Sequence, residues 1–190
     1  MKVRKFLLAG ALLVIALFSV NSVMAQTPPT DEVTVNLKFQ PLQSIVVKSG
    51  TEVVDLVYAT ENDYFEGKSQ TVSDHLEIFS TGGFVVTVKA ETDFTSTSTG
   101  AVAIPASHVK VTATNATDNL NNYGTGLPEV TLSTSPQNFI ASETGGTGLK
   151  FDVSYDNVGG AGNAYIDKYI HPDATATVYA ATVTYTIATK

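Results

Sequence analysis

The chain contains three histidines, the side chains best suited to proton transfer and metal binding, at His75, His108 and His171. They are far apart, and their spacing does not resemble that of a metal site. His75 follows Asp74, and an aspartate beside a histidine could orient it as a general base, although the pair also suits a strand edge or a turn. The chain has no cysteine, no Gly-x-Ser-x-Gly motif and no phosphate-binding glycine loop before a helix. We therefore expect no catalytic residues and no enzyme activity.

Two loops carry enough oxygen-bearing side chains to be considered for calcium, which prefers carboxylate and amide oxygens. The residues concerned are Asp118, Asn119, Asn121 and Asn122 in loop 118–126, and Asp156, Asn157 and Asn163 in loop 156–163. Neither loop has the alternating acidic spacing of an EF-hand, and such side chains also stabilise turns without an ion. We predict no metal and no other cofactor, and the pattern alone leaves calcium binding by these loops open.

Aromatic side chains raise the question of sugar binding. Carbohydrate modules stack pyranose rings on flat exposed aromatic groups, but this chain has eight tyrosines, nine phenylalanines and no tryptophan, the strongest such platform. Most of the tyrosines in clear strand patterns fall on rows predicted to face the core. Tyr64, Phe65 and Tyr123 lie in predicted loops instead. These three residues are candidate contacts with a glycan or another surface ligand, and packing at the rim of the core is the alternative.

The first 25 residues have the three parts of a Sec-type export signal. A positively charged start is followed by an apolar run from Phe6 to Phe18, and Val23 and Ala25 are the small residues at positions −3 and −1 of a cleavage site. The apolar run is shorter than the roughly 20 residues that span a bilayer. We predict cleavage after Ala25, with no membrane insertion afterwards, and a mature protein that is secreted or at the cell surface, with the periplasm as a further possibility.

Removal of this signal would leave a strongly acidic protein. The whole chain has 11 basic and 18 acidic residues and a net charge of −7. Lys2, Arg4 and Lys5 leave with the signal while every acidic residue stays, so the net charge of the mature chain falls to −10. Because an acidic surface repels phosphate backbones, the charge argues against a nucleic-acid partner.

Behind a polar, predicted flexible leader at 26–32, apolar and polar residues alternate with a period of two. This alternation gives a strand one apolar and one solvated face, as in antiparallel sheets that are covered on one side. The clearest segments are 33–40, 84–90, 149–155 and 179–187, and further strands are predicted at 43–48, 52–59, 74–80, 108–114, 128–134 and 137–141. No helical periodicity follows residue 25. The sequence predicts one all-β domain at 33–190, an antiparallel β-sandwich that is Ig-like or jelly-roll-like.

The last predicted strand has a distinctive composition. From Val178 to Ile187 it reads VYAATVTYTI, a tyrosine followed by alternating apolar residues and threonines. It resembles the closing strand of bacterial fimbrial-subunit domains of the spore-coat-U and Csu-type group, and the ending of WxL cell-surface domains. The chain lacks the cysteines that many pilins of that group carry and the tryptophan motif of the WxL type. The resemblance implies an Ig-like sandwich used for assembly or adhesion, with no catalytic residues.

The edges of an open sandwich expose unpaired backbone groups that can pair with another chain. Val33, Val35, Leu37 and Phe39 form an apolar row behind the leader, and this row could be donated to the sheet of a neighbour or could pair within its own domain. We expect a non-enzymatic, exported structural or adhesive protein, such as a fimbrial or other extracellular filament subunit, that associates with itself or with other surface proteins. The second hypothesis is a module that binds carbohydrate or another surface ligand.

Overall fold

The computed structural model describes residues 29–116, 128–169 and 177–190. The chain divides into two units, Met1–Lys38 and Phe39–Lys190. In the first unit, the described residues 29–38 contain no helix or strand, and their side chains are exposed. The second unit holds all the described secondary structure.

The second unit is built from antiparallel strands, as predicted. The strands are β1 (Gln43–Val47), β2 (Lys68–Ser80), β3 (Phe84–Ala90), β4 (Lys110–Asn115), β5 (Val130–Thr131), β6 (Gln137–Ser142), β7 (Gly146–Asn157) and β8 (Val183–Thr189). One helix, α1 (Glu61–Glu66), and two 3₁₀ turns, Ala106–His108 and Val158–Gly160, complete the described elements.

The strands form two sheets. The larger sheet has the order β1-β2-β7-β4-β5, and the smaller sheet has the order β6-β3-β8. The long strands β2 and β7 pair along most of their length in the larger sheet, and β3 is the central strand of the smaller one. Most neighbours in the sheets are distant in the sequence, so each sheet is held together mainly by long-range pairing, while the apolar core joins the two sheets.

The core lies between the sheets and is made from the predicted apolar rows. On β3 the side chains of Phe84, Val86 and Val88 have at most 1% of their surface exposed. On β7 Phe151 and Val153 are fully buried. Burying side chains of this size stabilises the folded state by roughly 1.5–3 kcal/mol each. The period-two prediction for these strands is confirmed, and with it the all-β sandwich.

Two predicted strands are absent. Residues 33–39 and 52–59 have no strand assignment, and the strand predicted over 179–187 begins as β8 only at Val183. In segment 52–59 the burial of the side chains still alternates, and Val54, Leu56 and Tyr58 are half-buried. The backbone of this segment nevertheless pairs with no described strand. Alternation specifies which side chains are apolar, whereas a strand also needs a partner backbone, which the local pattern cannot supply.

The helix α1 was not predicted, because six residues are too few to show helical periodicity. Its start is nevertheless encoded by a capping box. The hydroxyl of Thr60 accepts from the Asp63 N–H at 3.4 Å, and Asp63 Oδ2 accepts from the Thr60 N–H at 2.8 Å. The helix ends at Gly67, whose φ of 85° favours glycine. Lys68 donates to Asp63 at 2.9 Å, and this bond, with those from the backbone of Ala59 and Thr60, holds the pKa of the Asp63 carboxyl far below its ordinary value.

Candidate functional site

The apolar row before β1 is the most exposed hydrophobic feature of the described chain. Val33, Val35, Leu37 and Phe39 have 86, 79, 78 and 88% of their surface exposed, and all four are separated by one polar residue. Single exposed apolar side chains are normal on proteins, but a regular row of four large ones is not. The structure therefore leaves the predicted exchange segment uncovered, while the strand predicted there is not formed.

The sandwich has a corresponding edge at β8. Within the described residues, β8 pairs with β3 alone, in the register Val86 opposite Ile187 and Val88 opposite Tyr185. The side chains of Val183, Tyr185 and Ile187 pack on the core but stay only half-buried, although the β3 row beside them is fully buried. In the part of the chain that the structure describes, the outer backbone edge of β8 therefore has no paired strand, and part of its apolar row is exposed to solvent.

The strand β1 borders the same region from the larger sheet. Its Ile45 and Val47 side chains pack on the core and are also only half-buried, and β1 approaches β8 across the gap between the sheets. The other outer strand of the smaller sheet differs, because Phe139 and Ile140 on β6 are each 1% exposed. The incompletely covered part of the core therefore lies along β1 and β8, which we call the β1–β8 edge.

A chain of hydrogen-bonded polar side chains lies in the core close to this edge, with His75 and Tyr155 buried and Tyr185 half-buried. His75 Nε2 lies 2.8 Å from the Tyr155 hydroxyl, which lies 2.6 Å from the Tyr185 hydroxyl. On the other side of the ring, His75 Nδ1 is 3.0 Å from the Thr51 hydroxyl. Burial raises the pKa of Tyr155 to about 12 and that of Tyr185 well above its ordinary value. Burial also lowers the pKa of His75.

Asp74 and His75, the one candidate acid–base pair, serve different neighbours. The pairing of β2 with β7 is irregular between Val72 and Leu76, and Asp74 has a φ of 53°. This irregularity turns both His75 and the following Leu76 into the core. The Asp74 carboxylate instead lies 3.5 Å from the ammonium of Lys48. The structure does not bring the pair together as a base with its orienting carboxylate.

The sequence placed the candidate contacts Tyr64 and Phe65 in a loop, and this prediction is wrong, because both lie on α1. They line an open cavity of about 730 Å³ between α1 and the segment after β7. Phe65 is 63% exposed, whereas Tyr64 is half-buried against Tyr58, with ring centroids 5.2 Å apart. The third candidate, Tyr123, lies outside the described residues. Other residues that line the cavity include Glu61, Asn62, Asn163 and Ile166.

Backbone hydrogen bonds hold the two walls of this cavity together. The Gly162 N–H donates to the Phe65 carbonyl at 2.7 Å, and the Asn163 N–H donates to the Tyr64 carbonyl at 2.8 Å. The sequence had no signal for this contact between distant segments. It did contain a signal for α1, because Thr60 and Asp63 have the spacing of a capping box.

The loop 156–163 uses an asparagine side chain to hold its own shape. Asn157 Oδ1 accepts from the Gly160 N–H at 3.1 Å and from the Tyr165 hydroxyl at 2.9 Å. The Tyr165 hydroxyl is also 3.0 Å from His108 Nδ1, and the two rings are stacked. In residues 29–116, 128–169 and 177–190 no group of three acidic or histidine side chains is arranged to hold a metal ion. The other loop considered for calcium, 118–126, is outside the described residues.

In the described part of the chain, no helix has the length and apolar character needed to cross a membrane. No protein-family model matches the sequence, and no curated protein shows significant similarity to it.

Proposed function

We propose that this protein is a non-enzymatic, exported structural subunit that assembles by strand donation between copies. The observation that carries the proposal is the exposed apolar row at Val33, Val35, Leu37 and Phe39. Water contact at four large apolar side chains is unfavourable, and alternate spacing would place all four on one face of a strand. Such a segment is stabilised most when it joins a sheet with a free edge and an uncovered apolar surface, because it then buries its apolar side chains and forms backbone hydrogen bonds.

The acceptor in this proposal is the β1–β8 edge of a second copy. Pairing with β8 would satisfy its outer backbone groups, and the inward side chains of the donated strand would cover Tyr185, Ile187 and the neighbouring Ile45 of β1. The lengths agree, since 33–39 and β8 both contain seven residues. The edges β5 and β6 are poorer acceptors, because β5 has only two residues and the apolar side chains of β6 are already buried.

The export signal supports an extracellular place for such an assembly. A Sec-type signal with cleavage after Ala25 would deliver the mature chain across the membrane and leave Val33 only a few residues from the new N-terminus. A short leader in front of the donated segment keeps it accessible to a neighbour. The partner is accordingly a second copy of this chain, and the protein is secreted or displayed at the cell surface.

The first test is the concentration dependence of assembly. The mature protein should form high-mass assemblies that are visible by negative-stain microscopy, and light scattering should show their mass growing with protein concentration. Deletion of residues 26–40 should abolish the assembly. If the mature protein is strictly monomeric at every concentration, the proposal is wrong.

The second test asks whether the deleted variant retains an acceptor edge. A synthetic peptide of residues 31–41 should bind it with one-to-one stoichiometry and raise its melting temperature, because binding to the folded state alone stabilises that state. The matched control is the same peptide with Val35→Ser and Leu37→Ser, which keeps the length and charge but loses half of the apolar row. Equal binding of the two peptides would contradict a docking mode based on the alternating row.

A further inference from the structure

The cavity beside α1 has features that strand donation does not use. It is open to solvent, has a volume of about 730 Å³, and combines apolar, aromatic and amide side chains on two walls. We infer that this cavity binds a neutral hexopyranose, as a free sugar or as the terminal residue of a glycan. A structural subunit with this site would also act as an adhesin.

The apolar wall fits one face of a pyranose ring. Phe65 on α1 is 63% exposed and Ile166 on the facing segment is 45% exposed, so both present apolar surface to the cavity. A pyranose has one face of C–H groups, and these groups pack on an aromatic ring without leaving any hydroxyl unsolvated. The half-buried Tyr64 next to Phe65 extends the aromatic surface inside the cavity.

Amide groups at the rim can select a sugar over a simple hydrocarbon. Asn62 and Asn163 both line the cavity and come from opposite walls. Asn62 Nδ2 donates to Glu66 Oε2 at 2.9 Å, which orients the amide along α1 and lets its oxygen accept from a sugar hydroxyl. An amide offers both donors and acceptors, as vicinal hydroxyls require.

The site is built before the ligand arrives. The hydrogen bonds from Gly162 and Asn163 to the carbonyls of Phe65 and Tyr64 hold the two walls together. The ring of Tyr58 packs against the ring of Tyr64, which lines the cavity. Asn163 has a φ of 60°, a backbone conformation that asparagine tolerates better than most residues. A preformed site lowers the entropy cost of binding, which matters for a small polar ligand.

The charge of the cavity selects against anionic ligands. Glu61 is the charged residue among its lining side chains, and the chain as a whole carries a net charge of −7. A uronic acid, a sulfated sugar or a nucleotide would bring negative charge next to a carboxylate with no cation in the lining to offset it. The ligand class is therefore a neutral sugar.

The test uses saturation-transfer NMR on the mature full-length protein, which detects weak binding to monomers and to large assemblies alike. The probes are the methyl pyranosides of glucose, galactose and mannose, with the methyl glycoside of glucuronic acid, which keeps its free carboxylate, as the anionic comparison. At least one neutral probe should receive saturation, strongest at the protons of its C–H face, and the glucuronate should receive little. No transfer to any neutral probe at millimolar concentration would overturn the inference.

Two variants locate the site, and one variant serves as a control. Phe65→Ala should weaken binding by about tenfold or more, because it removes the stacking surface, yet fold normally because the ring is mostly exposed. Asn163→Gly keeps the positive φ and removes the amide, so it should also weaken binding. Phe39→Ala removes an even more exposed ring outside the cavity and should bind the sugar as the wild type does.

The same variants separate this inference from the proposed assembly. Phe65→Ala should still assemble, whereas Phe39→Ala should assemble less well and still bind sugar. Sugar binding that is unchanged in both Phe65→Ala and Asn163→Gly would place the ligand elsewhere and refute the site. Circular dichroism and melting temperature of each variant verify that the fold is intact.

Discussion

The hydroxyl oxygens of Tyr155 and Tyr185 lie 2.6 Å apart and form a hydrogen bond between the two sheets. Tyr155 belongs to β7 in the larger sheet, and Tyr185 belongs to β8 at the edge of the smaller one. His75 of β2 continues the connection at 2.8 Å from Tyr155. The edge strand that we propose as an acceptor is thus anchored to the opposite sheet by a specific polar contact as well as by apolar packing.

Removing the Tyr185 hydroxyl should show how much this hydrogen bond contributes to the free energy of unfolding. Tyr185→Phe should lower the free energy of unfolding by about 1 kcal/mol, because Tyr155 loses one hydrogen bond but keeps His75 as a partner. Tyr185→Ala also removes the ring that packs on Phe139, with centroids 5.7 Å apart, and should cost about 3–5 kcal/mol. Urea titration of the 26–40 deletion variant gives both values without interference from assembly. Equal losses for the two variants would mean that the hydroxyl, not the ring, carries the contribution.

The buried imidazole of His75 should make the fold sensitive to mild acid. Burial lowers its pKa below the ordinary 6.5, and the weaker opposing effect of Glu52 does not reverse this direction. Because the folded protein then binds the proton less readily than the unfolded chain, the stability contributed by neutral His75 is fully present above about pH 6.5 and is lost as the pH falls from there through the lower pKa of the folded state.

The measurement is the free energy of unfolding of the wild type and of His75→Gln at a series of pH values from about 8 to about 5. Glutamine can still hydrogen-bond to the neighbouring hydroxyls but does not titrate. The wild type should lose stability more steeply than the variant over the acid part of this range. Parallel curves for the two proteins would show that His75 does not control the acid sensitivity.

Substitutions at two neighbouring residues of β7 test which face of the strand points into the core. Phe151 is fully buried, and Phe151→Ala should cost about 3–5 kcal/mol of stability. Lys150 points to the opposite face of the sheet, where it lies 3.9 Å from the carboxylate of Asp74, and Lys150→Ala should change stability by less than about 0.5 kcal/mol. The check is the shift in the denaturation midpoint. A similar shift for both would contradict the assignment of the inward face.

Glycine at position 160 is required by close packing. A Cβ atom there would overlap the hydroxyl of Tyr58 and come within 2.8 Å of the ring of Tyr165, so Gly160→Ala should displace both rings and destabilise the domain by about 1–3 kcal/mol. Gly82→Ala is the matched control, because a Cβ at Gly82 meets no atom within 4 Å. We expect a clear fall in melting temperature for the first variant and almost none for the second. Since Tyr58 supports Tyr64, Gly160→Ala should weaken sugar binding too.

Maturation is predicted from the sequence alone. The exported protein should begin at Gln26, either as glutamine or as cyclised pyroglutamate, because Ala25 completes the small-residue cleavage site. Intact-mass spectrometry of the exported protein decides this. Ala25→Leu places a large residue at position −1 and should block processing. An exported wild-type protein that retains residues 1–25 would refute the prediction.

Much of the sandwich was predictable because strand periodicity is a local property. The rows on β3 and β7 alternate within the sequence itself, and the structure buries the predicted faces of both. The segment 33–39 alternates just as regularly and yet forms no strand. The difference is the presence of a partner backbone, which depends on distant parts of the chain and on neighbouring molecules.

The candidate sites divide in the same way. Tyr64 and Phe65 were recognisable as aromatics outside the core strands, but the facing wall with Asn163 and Ile166 is about a hundred residues away and could not be connected to them. The position of His75 depends on an irregularity in pairing that turns two consecutive side chains inward. The sequence by itself determined the apolar faces of the strands and the acidic charge, and it was sufficient to predict a signal peptide. The tertiary structure alone decided which edges and side chains stay uncovered, because exposure is a property of the packed chain and not of any residue within it.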